Sequence, residues 1–307
     1  MKVEREFWQT TKDDVELYVK KWFPDSTPKA IVQVAHGMVE HITRYEEFAA
    51  YLVDKNIAVY GHDHRGHGET GKKQGLLGYL ADEDGFQKLS DDLVVISKTI
   101  QTEYPNIPIF LFGHSMGSFV ARHYIQQYSD TIQGVILCGT GYFSIPLARS
   151  GKALAKLQAP KEESKIMNTV VFGSYNRRIK GKKTAFDWLS RDEGVVDEYL
   201  KDPLTGFIPT GRFFVDLMDG LEAIQDTTNN QSIRKNLPML IMSGDEDPIG
   251  HFGKGIWKTA HYYEELGLTN IKTELFQGAR HELLHEINKK EVHEAIDRWI
   301  ADQLSSL

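Results

Sequence analysis

The stretch Pro108-Ile109-Phe110-Leu111-Phe112-Gly113-His114-Ser115-Met116-Gly117 decides the fold. An apolar run ends in a glycine-flanked serine, and an amphipathic segment at 118–128 follows at once. A strand that turns sharply into a helix forces the residue between the two glycines into a strained backbone conformation, which only small neighbours permit. That geometry pushes the Ser115 hydroxyl into a cleft. It also aims the first N–H groups of the helix, beginning with Met116, at the space where negative charge develops when a carbonyl is attacked. The pentapeptide alone turns up in any Gly-rich loop. The strand before it and the helix after it make a nucleophile the better reading.

Outward from this turn, apolar runs at 30–35, 57–60, 109–112 and 135–138 alternate with helical periodicities at 45–54, 85–103 and 118–128. Such alternation predicts an α/β fold, a mostly parallel, doubly wound sheet with helices on both faces. Ahead of it, 6–10 and 15–22, separated by Thr11-Lys12-Asp13-Asp14, predict an antiparallel hairpin at the sheet edge. From about 142 to 236 the alternation stops, and helical and loop-like sequence reads as an inserted cap. Strands resume at 237–242 and 271–276, and an amphipathic helix at 291–304 closes the chain. The expected division is a core of 1–141 and 237–307 with a helical cap, or lid, of 142–236.

With 307 residues the chain is long enough to bury a deep pocket. A formal charge of −7 argues against nucleic acid as a partner, since phosphate binding needs a basic face. Cys138 is the one cysteine, so neither an internal disulfide nor a cysteine-based zinc site is available. Its apolar surroundings, Gly134-Val135-Ile136-Leu137, favour a buried small hydrophobe over a reactive thiol. The start, Met1-Lys2-Val3-Glu4-Arg5-Glu6, lacks the apolar core of a signal peptide, and no run reaches bilayer length; the expectation is a cytoplasmic protein.

A serine hydroxyl is a weak nucleophile at neutral pH and needs a base within hydrogen-bond reach, with an acid to orient that base. In doubly wound sheets such groups collect at the carboxyl ends of the strands. Two strand ends supply candidates: Ser243-Gly244-Asp245-Glu246-Asp247-Pro248 and Gln277-Gly278-Ala279-Arg280-His281. Their chain order, Ser then Asp then His, is that of the α/β-hydrolase arrangement. Asp247 is favoured because it reaches the loop tip, where the Pro248 ring stiffens the exit, with Asp245 as the alternative. His281 at the strand end is favoured over His285. His281-Glu282-Leu283-Leu284-His285 also fits the zinc-protease pattern H-E-x-x-H. That pattern needs a long buried helix and a third ligand, whereas this segment follows a strand and a glycine and runs into Asn288-Lys289-Lys290. His62, His64 and His67 read as a hydrogen-bonded loop at a strand end rather than a metal cluster. A second oxyanion donor besides Met116 is the Met38 N–H, since Gly37 in His36-Gly37-Met38 permits close backbone approach.

Taken together, His36-Gly37 with Glu40-His41, Asp63-His64-Arg65-Gly66-His67-Gly68, Gly113 to Gly117, Gly244 to Asp247 and Gly278 to His281 resemble the monoacylglycerol lipase and lysophospholipase branch of the serine-hydrolase α/β family. That branch includes serine aminopeptidase-like members, and the resemblance covers nearly the whole chain. Phe172-Gly173-Ser174-Tyr175-Asn176 and Phe186-Asp187-Trp188-Leu189-Ser190-Arg191 look like the caps of bacterial members. The resemblance implies an α/β-hydrolase fold, esterase or lipase chemistry with Ser115, Asp247 and His281 as triad, Met38 and Met116 as oxyanion donors, and no metal or other cofactor. Where the proline iminopeptidase pattern has Gly-Gly-Pro-Gly, this chain has His36-Gly37-Met38-Val39, which argues against peptidase activity.

A helical lid over Ser115 would bring its own apolar lining. Phe143, Ile145, Phe172, Phe207, Phe214 and Leu217 are the candidates for contact with an acyl chain, at about 0.8 kcal/mol per buried CH₂; the alternative is that they form the cap's own core. Arg177, Arg178, Lys180, Lys182 and Lys183 form a basic cluster on an acidic chain, suited to peripheral contact with anionic lipid or simply to a solvated face. The expected activity is hydrolysis of carboxylic esters of acyl lipids, of monoacylglycerol or lysophospholipid type, through an acyl-enzyme. A peptidase or amidase on the same triad and a non-catalytic binding protein of the same fold are the alternatives.

Overall fold

The apolar runs become strands buried from end to end: β3 (Ala30–Ala35), β4 (Ile57–His62), β5 (Ile109–His114), β6 (Gly134–Cys138) and β7 (Met239–Gly244). Full burial requires cover on both faces, which is how parallel strands occur. The computed structural model describes residues 3–306. Among them, β1 (Val3–Thr10), β2 (Glu16–Phe23) and β8 (Ile271–Phe276) complete one eight-stranded sheet, ordered β1-β2-β4-β3-β5-β6-β7-β8. The pairs β1–β2 and β2–β4 are antiparallel and all others parallel. The hairpin therefore sits at the sheet edge, as its sequence predicts. Its turn is held by the Thr11 hydroxyl, which donates to Asp13 at 2.7 Å.

Side chains alternate between the faces of a strand, so the core divides in two. On one face, Ala30, Val32 and Val34 pack with Phe48 and Leu52 of α1 (Glu46–Asp54) and with Val292, Ile296 and Trp299 of α11 (Lys289–Leu304). On the other, Ile31 and Ala35 join Leu89 and Leu93 of α3 (Gly85–Glu103), Val120 and Tyr124 of α4 (Met116–Tyr128), and Ile256 and Tyr263 of α10 (Lys254–Glu265). Each buried Leu, Ile or Val contributes about 1.5–3 kcal/mol relative to exposure. A short α2 (Gly68–Gln74) follows β4.

Between β6 and β7 lie α5 (Ile145–Ala155), α6 (Lys165–Phe172), α7 (Glu193–Lys201), α8 (Gly211–Ala223) and α9 (Thr227–Asn230). The only β-pairing in this stretch among the described residues is a single bridge, Glu163 with Thr210. Helix α8 packs on α5 and also on α3 and α4, so it anchors the segment to the sheet's helical layer. Among the described residues no helix is long and apolar enough to cross a membrane.

Candidate active site

Ser115 stands between β5 and α4 with φ 51° and ψ −120°, a conformation that a side-chain-bearing residue holds only when its surroundings dictate it. Its own N–H donates to the Cys138 carbonyl at 2.9 Å, while the Ser118 N–H and hydroxyl both donate to the Ser115 carbonyl, at 2.9 and 2.6 Å. The flanking glycines are required by contact. A Cβ on Gly113 would lie 2.4 Å from the Gly117 carbonyl oxygen, and one on Gly117 would lie 2.0 Å from that of Ala35. Met116 opens α4, so its N–H has no acceptor within the helix.

His281 follows β8, and its Nδ1 is 3.0 Å from Asp247 Oδ2. With the proton on Nδ1, Nε2 is left as an acceptor for a neighbouring hydroxyl. Asp247 is fully buried and also accepts from Ser243 Oγ at 2.9 Å and Ile249 N–H at 2.8 Å. Burial pushes its carboxyl up, but His281 and these donors outweigh it and hold the group below the ordinary Asp value. The converse holds for His281: burial disfavours the imidazolium, and Asp247, Glu282 and Glu40 together raise it above the ordinary histidine value. Asp245, the alternative acid, instead accepts from the Gly278 N–H at 2.6 Å and serves the turn.

The histidine turn is strapped from the inserted segment. The His281 and Glu282 N–H groups donate to the Trp188 and Leu189 carbonyls at 3.3 and 2.7 Å. Arg280 donates to the Asp187 and Ser190 carbonyls, and the Trp188 and His114 rings lie 5.0 and 4.8 Å from the imidazole. Leu283–His285 form a single 3₁₀ turn rather than the long helix of a zinc protease. His62, His64 and His67 are buried at the end of β4, where the His64 N–H donates to His36 Nε2 at 2.9 Å and His67 Nδ1 lies 3.0 Å from the Arg65 carbonyl. Beside them Asp63 accepts from the Ile42 and Glu69 N–H groups, and burial carries its carboxyl up to about 6.

Met38 lies in the turn after β3, which doubles back because Val39 adopts φ 51°. The return brings Glu40 onto the Gly37 N–H, and a Cβ on Gly37 would meet that carboxylate at 2.6 Å. Arg44 then joins Glu40, four residues before it, to Glu282, 238 residues after it. The sequence motif contains Glu40 and Glu282, but nothing local assigns them to one another.

Two cavities meet at Ser115. One, about 280 Å³, is lined by Met38, Glu40, His114, Ser115, Asn168, Asn176, Trp188, Phe207, His281 and Glu282 among others, and has a mixed, partly polar wall. The second, about 390 Å³, is almost wholly apolar and runs from Ser115 and Met116 between α5, α6 and α8. Phe143 and Leu217 line the apolar cavity, Phe207 the polar one, and Phe172 both. Ile145 and Phe214 line neither. On α5 the cavity side is Leu147, Gly151 and Leu154, and the helical period puts Ile145 on the opposite side. Phe214 is fully buried one turn before Leu217 and Met218 and packs into the core.

The family model described as serine aminopeptidase, S33, matches residues 26–288. The chain belongs to this family. Mouse monoglyceride lipase is 29% identical over 299 residues, which span 96% of this chain and 89% of the mouse protein. A highly thermostable carboxyl esterase from Bacillus coagulans, solved in complex with glycerol, superposes with a TM-score of 0.90 at 29% identity, covering 98% of this chain and 99% of that one. A lipase solved in an open form superposes with a TM-score of 0.88 at 25% identity, covering 98% and 99%. The fold is therefore that of the α/β-hydrolases, with the sheet order and helical layers described above.

Proposed function

We propose that this protein is a carboxylic-ester hydrolase acting on acyl lipids of monoacylglycerol or lysophospholipid type, with Ser115, His281 and Asp247 as its triad. The observation that carries the reading is the buried Asp247–His281 bond at the rim of a cavity that Ser115 also lines. Ser115 Oγ bonds to the ester carbonyl carbon as His281 Nε2 takes the hydroxyl proton. The oxyanion that forms accepts from the Met38 and Met116 N–H groups. As the tetrahedral adduct collapses, the C–O bond to the alcohol breaks and His281 returns the proton to the leaving oxygen, giving an acyl-enzyme. Water then attacks by the same route in reverse.

The apolar cavity suits the acyl chain, and the polar-walled one suits the alcohol. Residues 142–236 act as the cap over both. Within this stretch, 144–183 carry ten Lys and Arg against two Glu, a surplus of eight positive charges on a chain of net −7. The exposed apolar side chains Leu147 and Val170 line the mouth of the apolar cavity, and Leu157 and Ile166 are exposed on the same segment. This combination fits peripheral contact with an anionic lipid surface. Of the five clustered cations, Lys183 pairs with Glu193 and Arg178 sits 4.1 Å over the Phe252 ring, so Arg177, Lys180 and Lys182 carry that role together with Lys156 and Lys165.

A panel of matched esters and amides of rising acyl length tests the reading. Turnover is expected for esters, rising with chain length as the apolar cavity fills, for monoacylglycerol and lysophospholipid alike. Comparable rates on the matched amides would move the assignment to a peptidase.

A further inference from the structure

The turn after β3 carries the proposed oxyanion donor Met38, and the turn after β8 carries His281; one buried cation joins the two turns. Arg44 Nη1 donates to Glu40 Oε2 at 2.7 Å, and its Nη1 and Nη2 donate to the two oxygens of Glu282 at 2.6 and 2.7 Å. The other oxygen of Glu40 accepts from the Tyr45 hydroxyl at 2.9 Å and from the Gly37 N–H. Gly37 immediately precedes Met38, so the Glu40 carboxylate holds the backbone beside the proposed oxyanion donor, while Glu282 immediately follows His281 and ties that turn to Arg44. The Glu40 and Glu282 side chains are 3% exposed and that of Arg44 is 11% exposed.

Burying three charges carries a desolvation cost that well-packed apolar residues would avoid. What offsets it here is a fork-to-fork pair with Glu282 and a bonded partner for every carboxylate oxygen. Two carboxylates against one guanidinium also leave an excess of one negative charge, and both carboxylates line the cavity shared by Ser115 and His281.

We propose that Arg44, Glu40 and Glu282 form a positioning unit that fixes the oxyanion turn against the histidine turn and supplies negative charge that stabilises the imidazolium formed when His281 takes the Ser115 proton. The proposal rests on the triad reading above. The groups that interact electrostatically with His281 are Asp247 from the loop after β7, His114 from the end of β5, Glu40 from the segment after β3 and Glu282 from its own turn, with Arg44 and His285 next to these in the same cluster. Asp247 orients the ring directly. The unit acts at one remove, through backbone placement and field.

The two contributions separate by substitution. Glu282→Gln removes a charge while keeping the shape, and Arg44→Lys keeps the charge while losing the planar fork. On a soluble short-chain ester, Glu282→Gln is expected to move the acid limb of kcat/KM down by about one pH unit, because fewer negative charges then favour the protonated ring. Arg44→Lys should leave that limb in place and lower kcat about tenfold with KM within about twofold, the signature of misplaced reacting groups. Glu282→Asp retains the charge and should retain the limb. A merely structural role would reduce the yield of folded enzyme without moving the limb. An unmoved limb in Glu282→Gln, or wild-type kcat in Arg44→Lys, overturns the proposal; if Glu282→Gln does not fold, Arg44→Lys decides alone. Failure of the triad reading shows separately, as turnover retained by Ser115→Ala.

Discussion

At the scale of single residues, the site depends on what surrounds His281. Its imidazole is buried, which alone would lower its proton affinity, yet Asp247, Glu282 and Glu40 raise it above the ordinary value of 6.5. The sign of the pH effect follows. Below its pKa the ring already carries a proton and cannot accept that of Ser115, so kcat/KM should fall with decreasing pH through a midpoint above 6.5. In Asp247→Asn that midpoint should drop, and kcat should fall by about 10⁴. A wild-type midpoint below 6.5 on a soluble ester contradicts this electrostatic account. Ser115, His281 and Asp247 were legible as candidates because each stands at a strand end in a recognisable local context. The Arg44 contacts were not, since a pairing between residue 44 and residue 282 leaves no mark in the sequence near either.

At the scale of elements, the sharp turn from β5 into α4 sets where Ser115 stands. Gly117 is required there because a Cβ would press on the Ala35 carbonyl, which belongs to the neighbouring strand. Gly117→Ala is therefore expected to destabilise the fold by about 1–3 kcal/mol, read from denaturant midpoints, and to depress turnover as β3 and α4 separate. An unchanged midpoint would show that the turn has slack. Strands and the long helices were readable from their periodicity. Helix α2 was not, because Gly-Glu-Thr-Gly-Lys-Lys-Gln offers no apolar stripe; it is held by Asp63, which accepts the Glu69 N–H, and by the Thr70 hydroxyl donating to the Asp63 carbonyl. Helix α10 went unread although its buried stripe is Ile256, Ala260 and Tyr263, because Gly253 and Gly255 at its start break the helical signal there. The lining of the cavities was only partly readable. Composition marks an aromatic as apolar, whereas the helical phase and depth decide whether it faces a cavity, as with Phe172, or the core, as with Phe214.

At the scale of the whole molecule, two asymmetries define the account. The first is electrostatic: the segment at the mouth of the apolar cavity is strongly basic on an acidic chain. Binding to vesicles of phosphatidylcholine with phosphatidylglycerol should exceed binding to phosphatidylcholine alone and weaken with salt. The triple variant Lys156→Glu, Lys165→Glu, Arg177→Glu should abolish the difference while leaving short-chain ester turnover unchanged. Equal binding to both vesicle types would remove the electrostatic part of the proposal. The second asymmetry is topological, since residues 115, 247 and 281 come from three different strand ends and converge, Ser115 and His281 on the wall of one cavity and Asp247 behind His281 at 3.0 Å. Labelling the folded protein with a fluorophosphonate tests that convergence most directly, because only a serine activated by its neighbours reacts quickly. The account predicts a single adduct on the peptide carrying Ser115, absent in Ser115→Ala and slowed by orders of magnitude in His281→Ala. An unreactive wild type, or a His281→Ala variant labelled at the wild-type rate, would contradict it.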